Sequence, residues 1–422
     1  QRSDSRFGDR MDRSSVVRAL FVGGPMYDRL YDRIPAFERA TGYRVEVVAR
    51  LPHPELNARV ARDFGRGVPD VDLLSTHTKY APSQARWLLP LDGLVPAAHL
   101  RDLNPRTLEL ATIGGRLLQV PRNVDLRLLY YRRDLFASAR FRRDYRRLFR
   151  RAPRVPETWD ELVESATLLT GRGHAGFLFP GRDSGLFGTF YEFLVSAGGE
   201  LFHPDLSPAF DSSAGIWAVD RLVDLHQRRR VTPARLPSWH YDDISAAYRR
   251  GRAAMTTDWP GSHYLYRDPR TSSVARQTGV ALLPAGFTGR RAAYAGCHSF
   301  AVAKRARNRA GAVALLQFLT SPESQRGEAA LGAIPARQSA VRAVRRSLRA
   351  DRYESNRWKL LAETMQSALI IPPRFASYPD CEDAIWRSVQ AALVGKLTPA
   401  AAVAAAARSV ARTVRAERRR SR

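Results

Sequence analysis

Short unbroken apolar runs alternate along this chain with stretches of helical spacing. Val16–Val22 is apolar and ends in Gly23-Gly24-Pro25, which predicts a strand followed by a loop. Tyr27, Leu30, Tyr31, Ile34 and Phe37 then recur at helical steps, with a kink expected at Pro35 and a stop at Thr41-Gly42. Tyr43–Ala49 reads as a second strand. After the turn at Gly114-Gly115 an apolar run leads to Pro121, then polar Asn123 and Asp125, then a second run from Leu126 to Tyr131. A lone carboxylate between two strand-like runs is rarely there for packing, so a crossing between two lobes is expected, with Asp125 facing a cleft. Thr158, three residues before Glu161, predicts a helix start with a capping box. Ser321-Pro322-Glu323 and Thr398-Pro399 predict two more starts, the last opening an Ala-rich closing helix. Strands alternating with helices imply an α/β fold with mostly parallel sheets.

A chain of 422 residues is long enough for about two domains. No stretch reaches the roughly 18 uncharged apolar residues of a membrane span. The net charge of +27 raises nucleic-acid binding. Lysine occurs at Lys79, Lys304, Lys359 and Lys396, and every other basic residue is arginine, scattered over the whole length. That scatter is a compositional bias rather than a binding stripe, and no zinc-finger, basic-zipper or RNA-recognition signature accompanies it. Residues 1–15 read as a flexible leader from which a secretory segment has been removed, and residues 417–422 as a basic tail. The two cysteines, Cys297 and Cys381, form no CxxC pair. No nucleophile elbow, zincin helix, P-loop or convincing dinucleotide fingerprint is present, so an enzyme is not expected and no cofactor is implied.

Several motifs, in order, resemble one family. They are Phe37-Glu38-Arg39-Ala40-Thr41-Gly42, Gly67-Val68-Pro69-Asp70-Val71, Gly115 through Pro121 to Leu128-Leu129-Tyr130-Tyr131-Arg132-Arg133-Asp134-Leu135-Phe136, Pro156-Glu157-Thr158-Trp159-Asp160-Glu161, Ala197-Gly198-Gly199, and Ile244–Met255. They resemble the extracellular solute-binding proteins that feed sugars to ABC importers, over about residues 16–414. The resemblance implies a two-lobe clamp of the periplasmic-binding-protein type, each lobe a mostly parallel sheet flanked by helices, with a hinge of three crossings near Arg122–Asp125, Ala295–Ser299 and Ser339–Val341. Lobe 1 would hold residues 16–123 and 299–339, and lobe 2 residues 124–298 and 340–416.

The implied function is extracytoplasmic capture of a sugar or oligosaccharide by a monomer peripheral to the membrane, compatible with a lipid anchor, that delivers it to permease subunits. Carried over by position, the ligand-binding candidates are Gly24, Met26, His77, Lys79, Asn123, Asp125, Arg182, Asp183, Asp258, Trp259, His298 and Tyr378, with Trp259 and Tyr378 as stacking rings. The resemblance also brings the segments of Cys297 and Cys381 near the cleft, where a disulfide between them is an open alternative. A mainly neutral ligand is expected, because Asp125, Asn123 and Asp258 favour hydroxyl donors. The alternatives are an anionic or phosphorylated carbohydrate met by Lys79, Arg122 and Arg182, and next an iron or cation carrier using Tyr130-Tyr131.

Overall fold

The computed structural model describes residues 15–67, 70–171 and 173–420. The expected leader, apart from Ser15, lies outside the described residues, as do Val68, Pro69 and the last two residues of the expected tail. Residues 417–420 are the end of the helix Pro399–Arg420 rather than a separate tail.

Strands are numbered along the chain. One sheet places β2 (Arg44–Leu51), β1 (Val16–Val22), β3 (Leu73–His77), β13 (His298–Val302) and β6 (Val120–Pro121) side by side in that order. β1 is parallel to β2 and β3, while β13 is antiparallel to β3 and β6. β3 and β13 are buried along their whole length, which is why they read as unbroken runs. Phe21, Leu74 and Phe300 pack there with Phe37, Leu56, Val60 and Leu315 of flanking helices. A second core gathers Leu129, Phe177 and Met255 with Trp159, Phe193, Ile385 and Val410. Its sheet runs β11 (Thr278–Ala281), β8 (Leu128–Arg132), β10 (Ala253–Asp258), β9 (Ala175–Leu178). This sheet is mixed rather than mostly parallel: β8 is antiparallel to both neighbours, and only β9 and β10 are parallel. The reason is that β8 arrives from the other lobe through the crossing, not from a helix of its own lobe.

The crossing segments pair with one another. β14 (Ile334–Pro335), β7 (Asn123–Leu126), β12 (Ala293–Gly296) and β15 (Leu369–Ile370) make a third sheet. β6, β7 and β8 follow one another almost without a gap, and β12 passes into β13 through Cys297. β14 joins by pairing with β7, and Ser339–Val341, a few residues on, lie in the helix Gln338–Ser347, where Asp102 accepts from Ser339 N. A short hairpin, β4 (Thr112–Ile113) with β5 (Arg116–Leu117), turns on Gly114 and Gly115, both at positive φ.

Two local expectations are corrected. Pro35 does not kink a helix: residues Asp28–Arg33 form a 3-10 turn, and the α-helix Ile34–Thr41 begins with Pro35 in its first turn, where its missing N–H costs nothing. Thr158 does accept from Glu161 N, but the Glu161 carboxylate accepts from Glu157 N and Arg154 instead of closing the box.

Candidate functional site

The register of β3 against β13 sets His77 directly opposite His298. The helix His53–Gly65 opens with His53 beside them. The three rings are buried, with centroids 5.1 Å apart for His77–His298 and for His53–His298, and 5.6 Å for His53–His77. Gly296 makes the approach possible, since a Cβ there would lie 2.4 Å from His77 Nε2. On the hinge strand β7, Asn123 Nδ2 donates to Asp125 Oδ1 at 3.1 Å and Asn123 Oδ1 accepts from His298 N at 3.1 Å. His298 Nε2 lies 3.4 Å from Asp125 Oδ2 and 3.0 Å from the Tyr27 hydroxyl. Burial, reinforced by the Arg122 and Lys79 cations, holds His298 down at about 3, and it keeps His53 and His77 neutral as well. Burial pushes Asp125 up to about 7 against the pull of Arg122. Asp125 Oδ2 and His53 Nε2 have no hydrogen-bond partner among the described residues.

The second lobe meets this wall. β10 ends in Asp258, whose carboxylate accepts from Trp259 N and Tyr266 OH and is raised by burial to about 6. Trp259 is half-buried, with the Arg127 guanidinium 5.5 Å over its ring and Tyr294 edge-on at 5.7 Å. The helix Tyr241–Arg249 opens with Tyr241 and Asp242. Asp242 is raised to about 6, first by burial and then by repulsion from Asp258. Tyr27 of the first lobe lies in the field of Tyr241, Asp125 and Asp242, and Tyr241 in that of Asp242, Asp258 and Asp125. Burial first, and then these carboxylates, raise the hydroxyls of both tyrosines. The lobes touch here: Gly24 lies against Asp242, Met26 against Gly261, and Tyr264 OH donates to Pro25 O at 2.6 Å.

Arg182 and Asp183 sit at the start of the helix Asp183–Ser196, Asp183 at φ +59° and raised by burial against the pull of Arg182. Lys79 is buried and reaches across the lobes to Glu382 at 2.8 Å and Tyr294 OH at 3.2 Å. Tyr378 is fully buried and donates to Glu382 at 2.6 Å, its ring among Phe187 and Phe375 in the second core, so it offers no free face for stacking. Cys297 and Cys381 are both free and buried, so the disulfide alternative is not realised: the Cys297 thiol turns to His298 O and Ser299 between β12 and β13, while Cys381 sits in the first turns of the helix Tyr378–Leu393. Tyr130 is core, packed on Tyr266 and His263. Sequence reasoning missed His53, Tyr27, Tyr241 and Asp242. Tyr27 was absorbed by the helical spacing around it, and His53 carries no signal beyond a Pro52-His53-Pro54 helix start.

His77, Asp125 and His298 offer ligand atoms within 4.8 Å of one another, a set whose chemistry suits a borderline metal ion. The imidazoles are already engaged, however: His77 Nδ1 accepts from Lys79 N at 3.2 Å, and His298 Nε2 faces Tyr27 and Asp125, so Asp125 Oδ2 alone of the set is without a hydrogen-bond partner among the described residues. The set is wired into the cleft wall rather than arranged around a cation.

The bacterial extracellular solute-binding protein family matches residues 24–326. A probable amino-acid ABC transporter periplasmic-binding protein of Sinorhizobium fredii is 25% identical over 77% of this chain and 73% of its own length. A mannitol-binding protein of Pseudomonas aeruginosa is 29% identical over 56% of this chain and 52% of its own. Among solved structures, maltose-bound MalE3 of T. maritima superposes with a TM-score of 0.83 at 27% identity, covering 94% of this chain and 99% of that one. With two sheets, a crossing sheet between them and a polar cleft where they meet, the chain belongs to the bacterial extracellular solute-binding proteins.

Proposed function

We propose that this chain is the extracytoplasmic capture component of an ABC importer, closing two lobes on a carbohydrate or polyol and passing it to a membrane permease. The observation that carries the reading is the convergence of Asp125 and Asn123 from the hinge, His53, His77, His298 and Tyr27 from the first lobe, and Tyr241, Asp242, Asp258 and Trp259 from the second, with buried polar atoms of Asp125 and His53 left without a protein partner. Carboxylates and imidazoles suit solutes rich in hydroxyl donors and acceptors, and an aromatic ring covers their C–H faces. The likeness to a maltose-bound and a mannitol-binding protein supports this class. The likeness to a probable amino-acid binding protein leaves the choice to the site itself.

Two lobes of residues 16–123 with 299–339, and 124–298 with 340–416, would rotate about the crossing sheet, as a monomer at the membrane surface, with or without a lipid anchor. The chain's work is binding rather than catalysis. Against an anionic carbohydrate stands the pairing of the cleft cations: Lys79 with Glu382 at 2.8 Å, Arg122 with Glu328 at 2.5 Å and Arg127 with Glu192 at 2.5 Å. Arg182 remains half-exposed beside Asp183. Thermal-shift screening against neutral sugars, polyols, sugar acids and sugar phosphates tests the reading, because a ligand that binds only the folded state raises Tm by mass action. Stabilisation by sugar phosphates alone, or by no carbohydrate at all, overturns it.

A further inference from the structure

We infer that His77 is a specificity-determining residue: its Nε2–H and the Asp125 Oδ2 atom straddle one hydroxyl group of the solute, which accepts from the imidazole and donates to the carboxylate. The inference rests on the carbohydrate reading of the cleft and states what chemistry one point of it demands.

The tautomer of His77 is set by the local fold. His77 ends β3 and caps the 3-10 turn Thr78–Tyr80, its Nδ1 accepting from Lys79 N at 3.2 Å. A backbone N–H can only donate, so Nδ1 carries the lone pair. Burial keeps the ring neutral, and a neutral imidazole has a single N–H, which therefore sits on Nε2. That edge of the ring points to the hinge. A Cβ on Gly296 would lie 2.3 Å from His77 Cε1 and 2.4 Å from Nε2 but 3.6 Å from Nδ1, and Gly296 pairs with Asp125 across β12 and β7. Cβ atoms directly opposite in an antiparallel pair share a face about 4.5–5.5 Å apart. The Nε2 edge of His77 thus stands beside the Asp125 side chain.

A ring nitrogen of His77 and a carboxylate oxygen of Asp125 lie within 4.8 Å of each other. Asp125 Oδ1 is taken by Asn123 Nδ2, while Oδ2 is buried without a hydrogen-bond partner among the described residues, His298 Nε2 standing 3.4 Å off. The spacing suits a shared group: two atoms each about 2.8 Å from one hydroxyl oxygen are about 4.6 Å apart when they subtend the tetrahedral angle. His53 repeats the arrangement on the first-lobe wall. Asn57 Nδ2 donates to His53 O at 2.7 Å and lies 3.5 Å from His53 Nδ1, which leaves the proton on His53 Nε2, buried and without a partner among the described residues. The wall therefore offers N–H donors and the hinge an acceptor. A hydroxyl satisfies both, and an ether oxygen only the donors. A metal ion would need the Nε2 lone pair that the His77 tautomer withholds.

Isotope labelling of the histidines in the full, ligand-free chain reads the tautomer by long-range proton–nitrogen correlation, with His77→Gln assigning the signal. His77 should be the Nε2–H form, and an Nδ1–H form overturns the inference. A thermal-shift scan of glucose, sorbitol, mannitol and maltose selects a binder, and titration calorimetry then measures it on the parent, His77→Leu, Asp125→Asn and the double variant. Each single change should weaken binding at least about tenfold, as one lost hydrogen bond involving a charged group does. The double variant should fall no more than about threefold below the weaker single variant, because a shared hydroxyl is lost only once. His77→Gln, which keeps an N–H donor at similar reach, should recover part of the loss. Losses that multiply, or parent-like binding by His77→Leu, overturn the shared hydroxyl and leave the carbohydrate reading standing. Binding by none of the four compounds overturns the carbohydrate reading, and this inference with it.

Discussion

Asp125 concentrates the chemistry of this cleft in one side chain. Its carboxyl is raised to about 7, and those of Asp242 and Asp258 to about 6, whereas in an unfolded chain each would ionise near about 4. A raised folded-state pKa means that the folded protein holds these protons more tightly. The stability they contribute is complete below about pH 4 and is lost as pH climbs through 6 and 7. Calorimetric Tm of the ligand-free protein should accordingly decline between pH 5 and 7.5, and Asp125→Asn, which does not titrate, should flatten part of that decline. Identical pH profiles for parent and variant would remove Asp125 as a source. For binding, Asp125→Ala should weaken the ligand by about 1.5–3 kcal/mol, the range for a lost charged hydrogen bond, and Trp259→Ala by about 1 kcal/mol as a stacking ring is lost. Far-UV dichroism close to that of the parent confirms that the fold survives. Asp125 was legible in the sequence because a carboxylate between two apolar strands has no packing role. Tyr241 and Asp242 were not, because a helix start rich in polar residues looks the same whether it faces solvent or a cleft.

Lys79 shows how an element can be read from the sequence while the partner of its side chain cannot. The polar loop after β3 is where the sequence puts it, and from it Lys79 reaches Glu382 on the helix Tyr378–Leu393, an acceptor some 300 positions later that no local pattern announces. Strand runs, the Gly42 stop at φ +76° and the Ser321 cap are local facts and could be read directly. The antiparallel entry of β8 and the partner of Glu161 depend on tertiary direction and could not. The Lys79–Glu382 pair is buried on both sides and joins the two lobes. Removing one partner from a buried pair costs about 3–5 kcal/mol, because the other charge stays buried and unmatched. Here the lobes can part and hydrate Glu382, so the cost falls on the closed form. Lys79→Met should weaken ligand binding by calorimetry while shifting the ligand-free Tm little. A large fall in Tm with unchanged Kd would make the pair a structural brace instead. Gly296→Ala tests the same wall from the hinge side: its Cβ cannot fit 2.3 Å from His77 Cε1, so the ring must move, and affinity should drop.

At the scale of the whole molecule, two cores joined by one crossing sheet make a body that can bend at β7, β12 and β14 without unpacking either side. Small-angle scattering with and without a saturating ligand should register a smaller radius of gyration when bound, and no change would remove the hinge from the mechanism. The +27 charge bears on the same body from outside. It comes from arginines scattered over the whole length, some of them, such as Arg140, Arg143, Arg228 and Arg270, paired with surface aspartates, while Asp125 and Asp258 are buried. Surface charges act over a Debye length of about 10 Å at 0.1 M salt, and groups inside a closed cleft are screened far less. The two ligand classes therefore respond to salt differently. A neutral sugar should bind equally at 50 and 500 mM salt. An anion drawn in by the arginines should associate more slowly as salt rises and lose affinity. Stopped-flow association across that range measures the difference directly, and a steep fall with salt for the physiological ligand would return the anionic carbohydrate to first place.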